Sequence, residues 1–171
     1  MRLPQRPKHK IRALLSDVDG VWTDGGMYFS QIGQAMKRFN AKDGFIVATM
    51  QAAGVPILWV TGDDSAITRA RARKLGIQCV CPGVEGKGKC VRQLMASYGL
   101  KADEVAFMGD DLSDLPGMTQ VGLSICPADA ADPVLEAADW VTARDGGQGA
   151  VREVCDQILK WNAELDQEGP Q

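Results

Sequence analysis

Asp17 and Asp19 stand two residues apart, separated by Val18 and followed at once by Gly20. The apolar run 11–15 leads straight into them. Such a run, ended by turn residues, reads as a buried parallel strand. Both carboxylates then lie where a strand gives way to a loop, the edge at which open α/β sheets bind ligands. Two crowded acids repel each other, so a cation is their natural third party. The pattern points to a divalent metal and a phosphorylated substrate. An aspartate attacks a phosphate dianion poorly because both are negative, and a bridging Mg2+ removes much of that repulsion. A second acid two residues on can protonate the leaving oxygen, then deprotonate the water that breaks an aspartyl-phosphate.

Two other strand ends carry groups that suit this chemistry. Thr61-Gly62 follows the apolar run 55–60, and Gly109-Asp110-Asp111 follows 104–108. Lys87 lies in a predicted loop over 83–88. Asp and Gly after a strand are ordinary turn residues, so each group alone says little. Together on one sheet edge they describe a site. Carboxylates from two strand ends can share a hard cation. A hydroxyl, neighbouring backbone N–H groups and a lysine can hold phosphate oxygens.

The elements that must position these residues alternate along the chain. Strands are predicted over 11–15, 55–60, 77–81, 104–108, 121–125 and 140–142, with helices between them and a last helix after 149. This is an α/β pattern, a doubly wound, Rossmann-like parallel sheet with right-handed crossovers. Segments 27–30 and 35–39 read as a β-hairpin projecting beside the aspartates. Met27, Tyr28, Phe29, Ile32, Met36 and Phe39 make it apolar enough to serve as a contact between subunits. Asp43 is placed to cap the helix that ends at Gly54, and Asp64 or Ser65 the one that ends at Gly76. Gly146 to Gly149 either simply lead into the last helix or let N–H groups approach an anion.

At 171 residues the chain reads as one domain over 11–162, with a flexible tail at 1–10 and a frayed one at 163–171. The net charge of -3 gives no sign of nucleic-acid binding, and no stretch approaches the length of a membrane span. The basic N-terminal tail resembles a signal sequence only superficially, so a cytoplasmic protein is expected. The five cysteines form no C-x-x-C pair and read as free thiols. Arg69, Arg71 and Arg73 read as a solvated helix face.

Asp17-Val18-Asp19-Gly20-Val21-Trp22-Thr23-Asp24-Gly25 resembles the first motif of the haloacid dehalogenase superfamily of phosphatases. Thr61-Gly62 resembles its second motif, Lys87 its third and Gly109-Asp110-Asp111-Leu112-x-Asp114 its fourth. More narrowly, the first motif, the hairpin, F-N-x-x-D-G from Phe39 and G-G-x-G-A-V-R-E from Gly146 resemble 3-deoxy-D-manno-octulosonate 8-phosphate phosphatases and their sialic-acid-type relatives, which act on 9-phosphates. That resemblance implies no large cap domain, a homotetramer built on the hairpins, and protomers that help close each other's sites. It makes Asp17 the nucleophile and Asp19 the general acid/base. It gives Mg2+ to the Asp17 carboxylate, the Asp19 carbonyl and the Asp110 carboxylate. Thr61, Gly62 and Lys87 would bind phosphate, and Asp111 and Asp114 would stand behind those groups or serve the structure. The expected substrate is a small sugar-acid phosphate. The alternative is a non-catalytic tetramerisation module of the same fold, linked to sugar-acid activation. Two positions depart from the family pattern. Asp63 replaces an arginine, an anion where a cation would face the substrate. Ser16 replaces a phenylalanine, which reads as a packing change.

Overall fold

The computed structural model describes residues 5–168. Six strands form one sheet: β1 (Ala13–Ser16), β4 (Ile57–Val60), β5 (Cys79–Cys81), β6 (Val105–Met108), β7 (Leu123–Cys126) and β8 (Trp140–Val141). They run parallel in the order β5-β4-β1-β6-β7-β8. β2 (Tyr28–Ser30) and β3 (Gly33–Met36) pair antiparallel as a separate hairpin. The expected α/β architecture is therefore present. Most strands begin a residue or two after the sequence reading places them; β8 begins where expected, and the hairpin's second strand, β3, begins two residues earlier.

Alternation along the strands sorts their side chains onto two faces. Leu14, Ile57, Trp59, Ala106, Met108 and Ile125 enter one core, under α1 (Ala41–Ala52), α2 (Ala66–Leu75) and α6 (Ala150–Glu168). Ala13, Leu15, Leu58, Val60, Val105 and Phe107 enter the other, under α3 (Lys87–Tyr98), α4 (Leu115–Met118) and α5 (Asp132–Ala137). From β1 the chain builds outward through β4 and β5. It then crosses back to β6 on the other side of β1. The strand order thus reverses at β1, and a crevice at such a reversal, beyond the carboxyl ends of the strands, is where this sheet type binds ligands. Asp17 is the first residue past β1.

Two local readings change. Asn40, not Asp43, caps α1, its Oδ1 accepting the Lys42 N–H at 2.8 Å. Asp43 sits within the first turn of α1 with its side chain fully buried. There it accepts the Gly149 N–H at 3.2 Å and the Arg152 N–H at 2.8 Å, capping the start of α6 instead. The remaining N–H groups of the glycine loop are also taken. Gly147 donates to the Val21 carbonyl and Gly146 to Asp129. A Cβ at Gly146 would strike the Gly20 backbone. The glycines let the loop press against the first motif from behind, and its N–H groups go to internal acceptors. Burial raises the Asp43 carboxyl above its ordinary value, against the two N–H donors. Asp43→Ala strips two buried donors of their acceptor. It is expected to lower stability by about 2–3 kcal/mol, read from urea unfolding.

α6 stays helical past 163 to Glu168, and residues 169–171 lie outside the described set, as do 1–4 of the other tail. Trp161 packs edge-on against Trp140 at 5.6 Å, and Asn162 bonds both the N–H and carbonyl of Ile11. Arg6 meets Glu168 and Lys10 meets Asp166. These partners, distant in sequence, hold the last turns. Among the described residues no helix is long and apolar enough to cross a membrane.

Candidate active site

At the reversal point a cavity of about 760 Å3 opens. Asp17, Asp19, Gly20, Thr61, Gly62, Lys87 and Asp110 all line it, together with Asp63, Glu85 and Asp111. Every sequence-predicted site residue therefore meets in one place. Asp17 and Asp19 come from the end of β1, Thr61 and Gly62 from that of β4, and Asp110 from that of β6. Lys87 differs from its expected setting in a loop. It is the first residue of α3, and its side chain is only 3 % exposed.

Lys87 joins the strand ends electrostatically. Its Nζ lies 2.9 Å from Asp17 Oδ1 and 2.6 Å from Asp114 Oδ1. Burial works to lower its ammonium, but the two carboxylates outweigh this and hold it above its ordinary value. The other oxygen of Asp114 accepts the N–H groups of Asp110 and Asp111 at 3.0 and 3.2 Å. Asp114 is thus fully used in shaping the loop that presents Asp110. On the opposite wall, the Thr61 hydroxyl accepts the Asp63 N–H at 3.0 Å. Its proton has no acceptor among the described residues and is available to a ligand.

The acids are crowded. One oxygen from each of Asp17, Asp110 and Asp114 falls within 4.8 Å of the others. Burial first, then the Asp114 charge, pushes the Asp17 carboxyl up to about 7 against Lys87. Burial, followed by Asp17 and Asp114, raises that of Asp110 to about 8. Asp110 Oδ1 is buried without any hydrogen-bond partner among the described residues. Leaving such an acceptor unpaired is costly. A hard divalent cation meets both conditions, since it supplies the missing ligand and favours the ionised carboxylates. Gly20, at φ 83°, makes room for this arrangement, because a Cβ there would overlap the Asp110 carboxylate.

Asp63 is not the bare anion suggested by the sequence. Its Oδ2 accepts from Lys37 Nζ at 2.8 Å and from the hydroxyls of Ser65 and Thr68, each at 2.6 Å. Burial works to raise this carboxyl, but those donors prevail and hold it at about 2. Lys37 follows β3 at the base of the hairpin and also reaches Asp19 Oδ2 at 2.6 Å. Sequence reading placed it in the hairpin segment 35–39 and assigned it no role in the site. The available signal was strand alternation, since its neighbours Met36 and Arg38 both face solvent.

Ser16 has a bonding role beyond packing, accepting from the Trp22 indole at 2.9 Å and donating to the Asp17 carbonyl at 2.6 Å. Arg71 is not a purely solvated charge. Its guanidinium lies 5.4 Å above the Phe39 ring, which stacks on Trp59. All four tryptophans are buried, and the five cysteines are free thiols.

A model of the haloacid dehalogenase-like hydrolase family matches residues 67–154. The chain is 41% identical over 156 residues to the 3-deoxy-D-manno-octulosonate 8-phosphate phosphatase of Yersinia pestis, covering 91% of this chain and 83% of that protein. Its fold resembles that of the cobalt-bound deoxy-D-mannose-octulosonate 8-phosphate phosphatase of Haemophilus influenzae. The TM-score is 0.88 at 36% identity, with 91% of each chain covered. The Moraxella catarrhalis phosphatase, solved with magnesium, phosphate and its sugar acid, gives a TM-score of 0.86 at 32% identity. That match covers 92% of this chain and 90% of the other.

Proposed function

The chain belongs to the haloacid dehalogenase-like hydrolases and is a phosphatase of that family, and from that premise we propose that it is a Mg2+-dependent phosphomonoesterase of a small sugar acid, acting through an aspartyl-phosphate. An octulosonate 8-phosphate is the substrate best supported, because the relatives matching nine-tenths of the chain are named for it. A nonulosonate 9-phosphate is its nearest competitor. The observation that carries the reading is the convergence of Asp17, Asp19, Thr61, Lys87 and Asp110 on one cavity.

In this reading a carboxylate oxygen of Asp17 attacks phosphorus. The bond from phosphorus to the sugar oxygen breaks, and that oxygen takes a proton from Asp19. Water then attacks the aspartyl-phosphate, giving its proton to Asp19 and releasing inorganic phosphate and the Asp17 carboxylate. Thr61, Gly62 and Lys87 hold the phosphate oxygens and offset their charge. The metal would be held by the carboxylates of Asp17 and Asp110 and the carbonyl of Asp19. When bound, it screens the repulsion between nucleophile and phosphate.

The test is hydrolysis of octulosonate, nonulosonate and hexose phosphates in Mg2+ and in EDTA. Turnover is expected with a sugar-acid phosphate, vanishing on chelation and returning with Mg2+. Activity that survives chelation would remove the metal from the mechanism. Failure across the whole panel would favour the non-catalytic module.

The hairpin supports assembly into a homotetramer. Met27, Tyr28, Phe29, Ile32 and Met36 are between 48% and 99% exposed on this small ribbon. A lone protomer would leave a sizeable apolar patch in water. Sedimentation at micromolar concentration should give a tetramer, with Phe29→Asp/Ile32→Asp shifting it toward smaller species. A monomeric parent protein would refute this.

A further inference from the structure

We propose that Lys37 is a positioning residue for Asp19, itself held in place by Asp63. The inference rests on the phosphatase reading above, in which Asp19 moves the proton. The side chain of Lys37 is 0% exposed, and Lys37 is not among the residues lining the cavity, whereas Asp19 and Asp63 are. It therefore acts on a ligand only through them. An ammonium has three donors, and here three acceptors surround it: Asp19 Oδ2 at 2.6 Å, Asp63 Oδ2 at 2.8 Å and Thr68 Oγ1 at 3.3 Å. Two of these are rigid in turn. Asp63 accepts from the Ser65 N–H and hydroxyl, and Thr68 caps back onto Asp63 from the first turn of α2. The lysine is thus fixed from the α2 side and fixes Asp19 on the other.

The consequence for Asp19 is geometric. Lys37 takes one carboxylate oxygen, and among the described residues nothing bonds the other, Oδ1. The torsions of a short side chain beside a glycine turn are otherwise loosely set. Holding Oδ2 leaves a defined oxygen to meet the leaving group, and misplacement by about an ångström is enough to slow a proton transfer about a hundredfold. This also gives Asp63 a purpose at a position where the family pattern has an arginine. It is the anchor that keeps Lys37 from swinging wholly onto Asp19 or out to solvent.

The test separates positioning of the proton donor from general support of the site. A sugar alkoxide must be protonated as it leaves, whereas p-nitrophenolate departs without help. Lys37→Met, Lys37→Arg and Asp63→Asn are made in the full chain. Single-turnover cleavage of the sugar phosphate and of p-nitrophenyl phosphate is then measured at saturating Mg2+. Lys37→Met is expected to slow the sugar ester by about 30–100-fold with KM little changed, and the aryl ester by less than about threefold. Asp63→Asn should show the same selectivity at smaller amplitude, and Lys37→Arg should recover part of the loss. Equal slowing of both esters, or slowing of neither, overturns the proposal. Should Lys37→Met fail to fold, the selectivity of Asp63→Asn decides. A parent protein that cleaves neither ester refutes the phosphatase reading instead.

Discussion

Asp17→Asn is expected to abolish turnover, lowering kcat by about ten-thousandfold or more, while the protein remains folded. The amide is nearly the same size, so it fits a position that is 7% exposed and packed at the end of β1. It keeps an oxygen toward Lys87, but a neutral amide does not form the acyl phosphate on which the two-step route depends. The remaining groups still bind the substrate, so KM should move far less than kcat. Acid-quenched samples of the parent protein should carry trapped phosphate, and those of the variant none. Turnover within tenfold of the parent would remove Asp17 as nucleophile and with it the covalent intermediate.

Lys87→Met should damage both stability and catalysis. The Lys87 side chain is 3% exposed, and its ammonium sits between Asp17 and Asp114, whose side chains are 10% and 0% exposed. Its removal leaves these carboxylates, with Asp110 nearby, crowded and without a counter-charge. Breaking a buried pair from one side costs about 3–5 kcal/mol, so urea unfolding in EDTA should show a large loss. Mg2+ should return part of it by supplying positive charge to the same carboxylates, more than it stabilises the parent protein. Activity should fall by about a hundredfold or more even at saturating Mg2+, because a donor to the phosphate is gone. A variant as stable as the parent in EDTA would contradict this account of how the acids are tolerated.

The strand-end placement of Asp17, Thr61 and Asp110 was legible because its signals are local. Short apolar runs broken by Asp, Gly and Thr mark where buried parallel strands stop, and alternation of strands with helices makes the sheet doubly wound. A parallel sheet brings all its carboxyl ends to one edge, so the strand-end acids, the threonine and the lysine that opens α3 gather there. The family resemblance then supplied roles that no spacing could.

What tertiary structure decided was which charges share a partner. Lys37 stood in the predicted hairpin with no role of its own. Its inward course depends on how the base of the hairpin meets Asp63, 26 residues further on and just before α2. Asp43 looked like a local helix cap, yet it serves a helix start 109 residues away, because α1 and α6 pack side by side on one face of the sheet. Asp114 was expected only in a supporting role within the fourth motif, and it becomes the second carboxylate on Lys87 once α3 and the loop after β6 meet. In each case the side chain's type announced a charge. Its job was set by a partner that only the crossover connections bring within hydrogen-bond reach. Buried charges are tolerated only where such partners exist, so the packing of distant elements, rather than local pattern, determined where these three residues could point. The sequence alone therefore determined the chemistry available at the sheet edge, and the tertiary structure decided how Asp17 and Asp19 are held for it.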